Sequence, residues 1–147
     1  MKKRLLSLIP TCLVGLLIGS CTIAFAEQEL TFDAAWIRAM PPGMKMTAAF
    51  GRLHNADTET IELTAFASPQ FGDVSLHRTE LVEGVSRMRE ITSLSIGTGE
   101  TIELAPGGYH LMLMQPAGLL AVGQTVTVEM TSSDGRSFDF DVPVERR

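Results

Sequence analysis

Short runs of alternating apolar and polar residues follow one another from residue 30 onward, and clusters rich in Gly, Pro and Asn separate them. A repeat of two is typical of a β-strand with one buried face, because successive side chains point to opposite faces of a sheet. We predict strands at residues 30–40, 47–54, 60–67, 73–79, 86–96, 101–104, 109–114, 125–131 and 137–144. Short strands with a turn signal about every ten residues predict an antiparallel β-sandwich or barrel.

The same alternation predicts which side chains face the core. The inward pairs are Val74 and Leu76, Leu111 and Leu113, Val126 and Val128, and Phe138 and Phe140. Trp36 is expected to pack with them, since a single Trp on a strand is most often buried. Asp134-Gly135 suits a tight two-residue hairpin loop between the last two strands.

Residues 1–26 have the pattern of a secretory signal peptide. A positively charged start (residues 2–4) precedes a largely apolar run (residues 5–19), and Ala24-Phe25-Ala26 forms a cleavage signal. The apolar run is too short for a typical membrane-spanning helix. We therefore predict cleavage after Ala26, which leaves residues 27–147 as one domain.

Ile18-Gly19-Ser20-Cys21 resembles a bacterial lipobox, which directs the lipidation of its cysteine. We favour soluble export to the periplasm, because the cleavage signal at Ala26 is well formed and the lipobox is a weaker match. Lipidation of Cys21 is the alternative, and it would make a membrane one of the protein's partners. Retention of the uncleaved segment as an anchor is a third alternative.

Charge and cysteine content exclude several classes of function. The chain has 147 residues and a formal net charge of −5, and the predicted domain contains no long basic run, so a nucleic-acid partner is not expected. Cys12 and Cys21, the only cysteines, lie in or beside the predicted signal peptide. The predicted domain has no thiolate, which excludes a cysteine nucleophile, a thiolate zinc site, an iron–sulfur cluster and a blue-copper centre.

One predicted strand carries an unusual second face. In residues 109–114, Leu111 and Leu113 face one side, and His110, Met112 and Met114 face the other. The leucines already supply a core face, so the His and Met side chains need another explanation.

Two further side chains complete a candidate metal site. By alternation His77 faces away from Val74 and Leu76, and Met88 follows a turn near Glu83-Gly84 that would bring it back toward His77. Two imidazoles and two thioethers form a neutral, soft ligand set, which selects Cu(I) over zinc, calcium or magnesium. A single Met usually fills a core and a single His usually lies at the surface, so the hypothesis depends on the combination.

The spacing His77-x10-Met88-x21-His110-x-Met112 resembles the His-x10-Met-x21-His-x-Met signature of the PCu(A)C family of periplasmic copper chaperones. Four other segments resemble the framework of that family: Ala35-Trp36-Ile37-Arg38, Pro41-Pro42-Gly43, Leu104-Ala105-Pro106-Gly107-Gly108 and Val142-Pro143-Val144. The resemblance covers nearly all of the predicted domain.

The resemblance implies a cupredoxin-like, Greek-key antiparallel β-sandwich that binds one Cu(I) through His77, Met88, His110 and Met112. It implies a chaperone, not an enzyme, that hands copper to a subunit of cytochrome c oxidase or to another copper chaperone. The acceptor's dinuclear copper centre is the implied destination. Ser86 stands where members often carry an additional Met, and the sequence ends without the family's Met- and His-rich tail, so a second, Cu(II) site of that kind is not expected.

Other candidates surround this set. Met40, Met44 and Met46 form either a soft metal site or docking patch, or a locally packed apolar loop. The arginines near the site either steer an acidic partner or are simply solvated; they are Arg78, Arg87 and Arg89. His54 is expected at the surface and Met114 at the core edge.

Four functions remain to be compared. A metallochaperone needs an accessible Cu(I) site and no catalytic base. An electron-transfer cupredoxin is disfavoured by the missing thiolate. A copper oxidase is disfavoured because the sequence offers no second metal cluster, and a metal-free β-sandwich interaction module is the alternative without chemistry.

Overall fold

A computed structural model describes residues 29–147, all of them in strands, turns and loops. Its strands are Leu30–Arg38 (β1), Met46–Asn55 (β2), Ile61–Ala67 (β3), Phe71–Val82 (β4), Val85–Glu90 (β5), Leu94–Ile96 (β6), Thr101–Leu104 (β7), Tyr109–Pro116 (β8), Thr125–Ser132 (β9) and Ser137–Glu145 (β10). In this part of the chain no helix has the length and apolar character that crossing a membrane requires. The predicted signal peptide, Cys12 and Cys21 lie outside the described residues.

The strands hydrogen-bond in the order β5-β4-β8-β7-β2-β1-β10-β9-β3-β6. Most pairings are antiparallel, as predicted, but β1 runs parallel to β10 and β7 parallel to β8. The sheet folds on itself, so that β3 contacts β4 although the two lie far apart in the strand order. The all-β fold predicted from the alternation is confirmed.

The core lies between the two layers and follows the predicted alternation. All four predicted inward pairs are buried in one cluster, from Val74 and Leu76 on β4 to Phe138 and Phe140 on β10. Because Leu111 and Leu113 are fully buried in this cluster, their alternate neighbours on β8 point to the opposite face.

The prediction of a single strand over residues 86–96 is wrong. Val85–Glu90 pairs with β4 at one end of the strand order, whereas Leu94–Ile96 pairs with β3 at the other end. The chain crosses between layers in the residues between them. Alternation continues on both sides of that crossing, and a period of two carries no information about a change of partner.

The β9–β10 hairpin loop differs from the predicted turn chemistry, whereas the predicted turn at Glu83-Gly84 is confirmed. Ser132 N donates to Arg136 O, and Gly135 has φ 90°, so the β9–β10 loop has three residues rather than two. The two-residue loop lies at Glu83-Gly84, where both residues have positive φ and Val82 pairs with Val85. This tight loop sets the register of β5 against β4.

Trp36 is buried, but it does not join the main core cluster as predicted. A bulge lies between Asp33 and Trp36, where Ala34 has φ 49°. The extra residue inverts the alternation, so Ile37 faces the core and Trp36 packs on Phe50 with ring centroids 4.8 Å apart.

Candidate metal centre

His77 and His110 lie directly opposite each other on the neighbouring strands β4 and β8. Their side chains share the face that points away from the core, because Leu76 and Leu111 occupy the core face. The two rings are stacked, with centroids 6.0 Å apart and an angle of 26° between the planes. Residues separated by 33 positions in the chain are therefore brought together by strand register.

The two predicted methionines lie on the same face. Met112 is two residues beyond His110 on β8, and Met88 pairs with Thr79, which is two residues beyond His77 on β4. Met88 is 54% exposed, whereas Met112 is half-buried. The structure brings all four predicted side chains to one face of three adjacent strands; their role as metal ligands stays a prediction.

An open cavity of about 340 Å³ lies over this face. The soft donors that line it are Met40, Met44, Met46, Met88, His110 and Met112. The ring of His77 stacks on His110 and does not itself line the cavity. A ligand bound at the four predicted residues would therefore be reached from solvent past Met88 and Met112.

The hydrogen bond of His110 assigns its tautomer. Nδ1 of His110 lies 3.1 Å from the carbonyl oxygen of Gly108. A carbonyl oxygen only accepts hydrogen bonds, so Nδ1 carries the proton and Nε2 keeps its lone pair. An orienting hydrogen bond of this kind is typical of metal-binding histidines.

The ring of His77 leaves one buried nitrogen unsatisfied. Nε2 is 2.9 Å from the hydroxyl oxygen of Ser75, but Nδ1 is buried with no hydrogen-bond partner in the structure. The pKa of His77 is lowered, first by burial and then by the charge of His110, while Glu90 and Asp73 raise it. His77 is therefore neutral at neutral pH, which is the form that binds metal, and an orphaned ring nitrogen fits a soft cation.

Comparison with known proteins places the chain in a family. The family model described as "Putative lipoprotein LpqE-like" matches residues 30–144. The chain belongs to the LpqE-like family. A relative named "Putative lipoprotein Lxx21020", from Leifsonia xyli subsp. xyli (strain CTCB07), is 34% identical over 135 residues, which is 91% of this chain and 80% of the relative.

Solved structures agree with this fold. The solution structure of CuI-DR1885 from Deinococcus radiodurans is 30% identical, covers 82% of each chain and has a TM-score of 0.64. The apo form of the same protein covers 100% of this chain and 97% of its own, at 27% identity and a TM-score of 0.63. The copper-bound PCuAC domain from PmoF2, at 18% identity, a TM-score of 0.67 and coverage of 84% and 97%, shows the fold alone. The fold of this LpqE-like chain is that of PCuAC domains, as the sequence motif implied.

Charged side chains of both signs lie near the site of this LpqE-like chain: Arg38 at the cavity, and Glu90 and Asp73 near His77. Among residues 29–147 no group of three or more His, Cys, Asp and Glu side chains converges, so the hard donors of a calcium or magnesium site are not assembled there. Arg38 lies over the ring of Phe50 at 5.2 Å, and both line the cavity. A nearby guanidinium disfavours a divalent cation more than a monovalent one.

The remaining candidates lie around this site or away from it. Nδ1 of His54 is 2.9 Å from the hydroxyl oxygen of Thr101 on β7, apart from the cavity. Met114 is half-buried opposite Asp73. Arg78 lies 5.1 Å over the ring of Tyr109, and the steering role of the three arginines stays a prediction.

Sequence reasoning missed Ser75 and Phe50. Ser75 precedes His77 by two residues and bonds its ring, and alternation alone could have indicated the shared face. Phe50 packs 6.4 Å from the ring of His110 and connects it to Trp36. No local signal identifies Phe50, because its position opposite Trp36 depends on the bulge in β1.

Proposed function

We propose that this protein is an exported copper chaperone that binds one Cu(I) through His77, Met88, His110 and Met112 and delivers it to other proteins. The observation that carries the proposal is the stacked pair of imidazoles on the same face as two thioethers, at an open cavity. The likeness to a structure titled CuI-DR1885, at 30% identity, supports copper as the cargo.

The ligand set suits both binding and release. Neutral imidazole and thioether donors leave the site with the single positive charge of Cu(I), which costs less to bury than the charge of a divalent ion. Met88 is 54% exposed, so an acceptor's ligand can replace its sulfur first and the remaining donors afterwards. Such an exchange makes and breaks only metal–ligand bonds, and it needs no catalytic acid or base.

The proposed acceptor is another exported copper protein, either a subunit of cytochrome c oxidase with a dinuclear copper centre or a second copper chaperone. Arg87 and Arg89 are exposed on the edge strand β5, on either side of Met88. By alternation their side chains point to the sheet face opposite Met88, but at this exposed edge their positive charge would still steer an acidic acceptor surface and raise its association rate.

Export is part of the proposal. Cleavage after Ala26 and lipidation of Cys21 both deliver the domain beyond the cytoplasmic membrane, and the family and its relative both carry the name lipoprotein. Mass spectrometry of the processed N-terminus distinguishes them: a free Glu27 supports cleavage at Ala26, and an acylated Cys21 supports the lipoprotein. A full-length chain that stays in the cytoplasm would contradict export.

The test of copper binding is a Cu(I) titration of the exported protein against a chromophoric Cu(I) chelator. Cleavage after Ala26 removes Cys12 and Cys21, and lipidation would consume the thiol of Cys21, so no thiolate of the processed protein competes. We expect one tightly bound Cu(I) in the parent and its loss in His110→Ala/Met112→Ala. The control His54→Ala replaces a histidine that lies apart from the cavity and should bind like the parent.

Far-UV circular dichroism establishes that each variant keeps its β-sheet. Failure of the folded parent to compete with the chelator would contradict the chaperone and leave the metal-free interaction module. An intense blue band after addition of Cu(II) would instead support electron transfer. Transfer is tested by mixing the Cu(I)-loaded protein with a copper-free oxidase domain, where copper should move to the acceptor.

A further inference from the structure

The segment Met40-Pro41-Pro42-Gly43-Met44-Lys45-Met46, hereafter the methionine loop, connects β1 to the start of β2. Met44 N donates to Pro41 O at 3.2 Å, and Gly43 has φ 88°, so the loop turns tightly between its first two methionines. Met46 begins β2 and pairs with Met114 on β8. The turn and this register direct three thioethers to one region.

Packing does not explain these three side chains. Met44 is 53% exposed and Met46 is 48% exposed, and none of the three belongs to the core cluster or packs against it. Met40 and Met44 also line a second cavity of about 230 Å³ beside residues 116–121. A methionine that fills a core gap is enclosed, whereas Met44 and Met46 are exposed and Met40 is half-buried outside the core.

The methionine loop lines the same cavity as the proposed copper ligands, and it does so from the β1–β2 side. Met88, His110 and Met112 approach the cavity from β5 and β8. Ala48 pairs with Met112 while Met46 pairs with Met114, so Met46 is a diagonal neighbour of Met112 across the strands. One cavity is thus lined by two separate sets of soft donors.

The loop set differs chemically from the sheet set. It offers three thioethers and no imidazole, and none of the side chains that line this cavity is acidic. Uncharged sulfur donors beside Arg38 disfavour hard and divalent cations and still accept a soft monovalent one. The smaller number of donors and the absence of a nitrogen donor make binding weaker and exchange faster than at the sheet set.

We propose that Met40, Met44 and Met46 form a second binding site for a soft monovalent cation, Cu(I) or Ag(I), on the β1–β2 side of the cavity. It fills after the site of His77, Met88, His110 and Met112 and exchanges more rapidly. The inference that this second site carries copper rests on the proposed function. The inference that it binds Ag(I) does not.

The test follows the methyl groups of 13C-labelled methionine by NMR while Ag(I) is added to the exported protein. Ag(I) serves as the probe because it is soft, monovalent and stable in air. In the parent we expect the first equivalent to shift the methyls of Met88 and Met112, and the second to shift those of the methionine loop. A sulfur that binds the cation changes the environment of its own methyl, so each site reports separately.

Two variants separate the sites. Met40→Leu/Met44→Leu/Met46→Leu keeps the side-chain volumes and should lose the second binding event, with an increase in its Kd of at least about tenfold, while the first stays within about twofold. His77→Ala/His110→Ala should lose the first event and keep the loop shifts. If the triple variant fails to fold, Met44→Leu alone, at an exposed position, should weaken the second event.

The outcomes distinguish this proposal from the copper chaperone. Loop shifts that persist without any shift of Met88 and Met112 would support the loop site and contradict the sheet site. Absence of loop shifts up to several equivalents of Ag(I) would overturn the loop site and leave the sheet site intact. Simultaneous movement of all five methyls during the first equivalent would also overturn it, because the cavity would then hold a single shared ion.

Discussion

At the scale of single residues, the candidate site depends on how each donor is held. Gly108 O fixes the tautomer of His110, and Ser75 bonds one nitrogen of His77 while the other is buried without a partner. The imidazoles are therefore oriented by neighbours, whereas Met88 extends from an exposed edge strand. In the proposed site, the oriented imidazoles would define the position of the ion, and the exposed Met88 would provide its way in and out.

Replacement of the exposed Met88 should lower the Cu(I) affinity and leave the free energy of unfolding nearly unchanged. In Met88→Leu we expect Cu(I) affinity to fall at least about tenfold, because a soft sulfur ligand is lost, with a change in unfolding free energy within about 0.5 kcal/mol. Chelator competition and chemical denaturation measure the two quantities. Met130→Leu, at a fully buried position in β9, is the control: it should cost up to about 1.5 kcal/mol and leave Cu(I) affinity unchanged. Equal affinity of Met88→Leu and the parent would remove Met88 from the ligand set.

At the scale of strands, the bulge in β1 and Gly51 beside it on β2 position Phe50, which lines the cavity. A Cβ at Gly51 would lie 2.7 Å from the ring of Phe32 and 2.9 Å from Cα of Ala35, and Gly51 has φ 153°. The close approach allows the irregular part of β1 to lie against β2, where Trp36 meets Phe50. Phe50 in turn packs beside His110.

Gly51→Ala should therefore destabilise the protein by about 1–3 kcal/mol, because backbone atoms of β1 must move to admit the methyl group. Chemical denaturation measures the loss. Gly118→Ala is the control, since a Cβ there meets nothing within 4 Å and φ is not positive. Equal stabilities of the two variants would show that β1 adapts without strain.

The side-chain amide of Asn55, the last residue of β2, connects the β2–β3 loop to the end of β6. The side chain of Asn55 is fully buried, and its Nδ2 donates to Glu59 O at 2.8 Å and to Ile96 O at 2.9 Å. Its Oδ1 accepts from Asp57 N at 2.8 Å. The sequence marked this residue only as part of a turn.

Asn55→Ala should cost about 2–4 kcal/mol, because it leaves buried backbone groups without partners. The midpoint of urea denaturation measures this effect. Thr58→Ala, an exposed change in the same loop, should cost less than about 0.5 kcal/mol. A loss in Asn55→Ala no larger than in that control would mean that water replaces the three hydrogen bonds.

At the scale of the whole molecule, Arg136 connects three distant segments. It bonds Glu29 before β1, Asp57 in the β2–β3 loop at 2.7 Å, and Asp134 in its own hairpin at 2.8 Å. The hydrogen bond from Arg136 is the main cause that lowers the pKa of Asp57 below its ordinary value of 3.8. Asp134 also has a lowered pKa, first because Ser132 bonds it and then because of Arg136.

This network should make the free energy of unfolding depend on pH in the acid range. A carboxylate whose pKa is lower in the folded state stabilises the fold above its unfolded pKa and loses that contribution as pH falls through the folded value. The free energy of unfolding should therefore be constant with respect to these two groups near pH 7 and decline below about pH 4. Asp57→Asn should be less stable at pH 7 and show a shallower decline in acid.

Urea denaturation from pH 7 to pH 2 measures both curves. Asp139→Asn, an exposed change on β10, is the matched control and should follow the parent. Parallel curves for Asp57→Asn and the parent would show that the network contributes nothing to the acid dependence.

Alternation along the sequence determined most strand positions, the core pairs and the outward face of His110 and Met112, because side-chain direction within a strand is a local property. The motif spacing selected His77 and Met88 as their companions. Only the tertiary structure decided the stacking of His77 on His110, the split of residues 86–96 between two partners, and the packing of Trp36 on Phe50 outside the main core cluster. It also decided that the methionine loop lines the same cavity. Each of these depends on strand register, a bulge or a chain crossing, and such features arise from contacts between segments far apart in sequence.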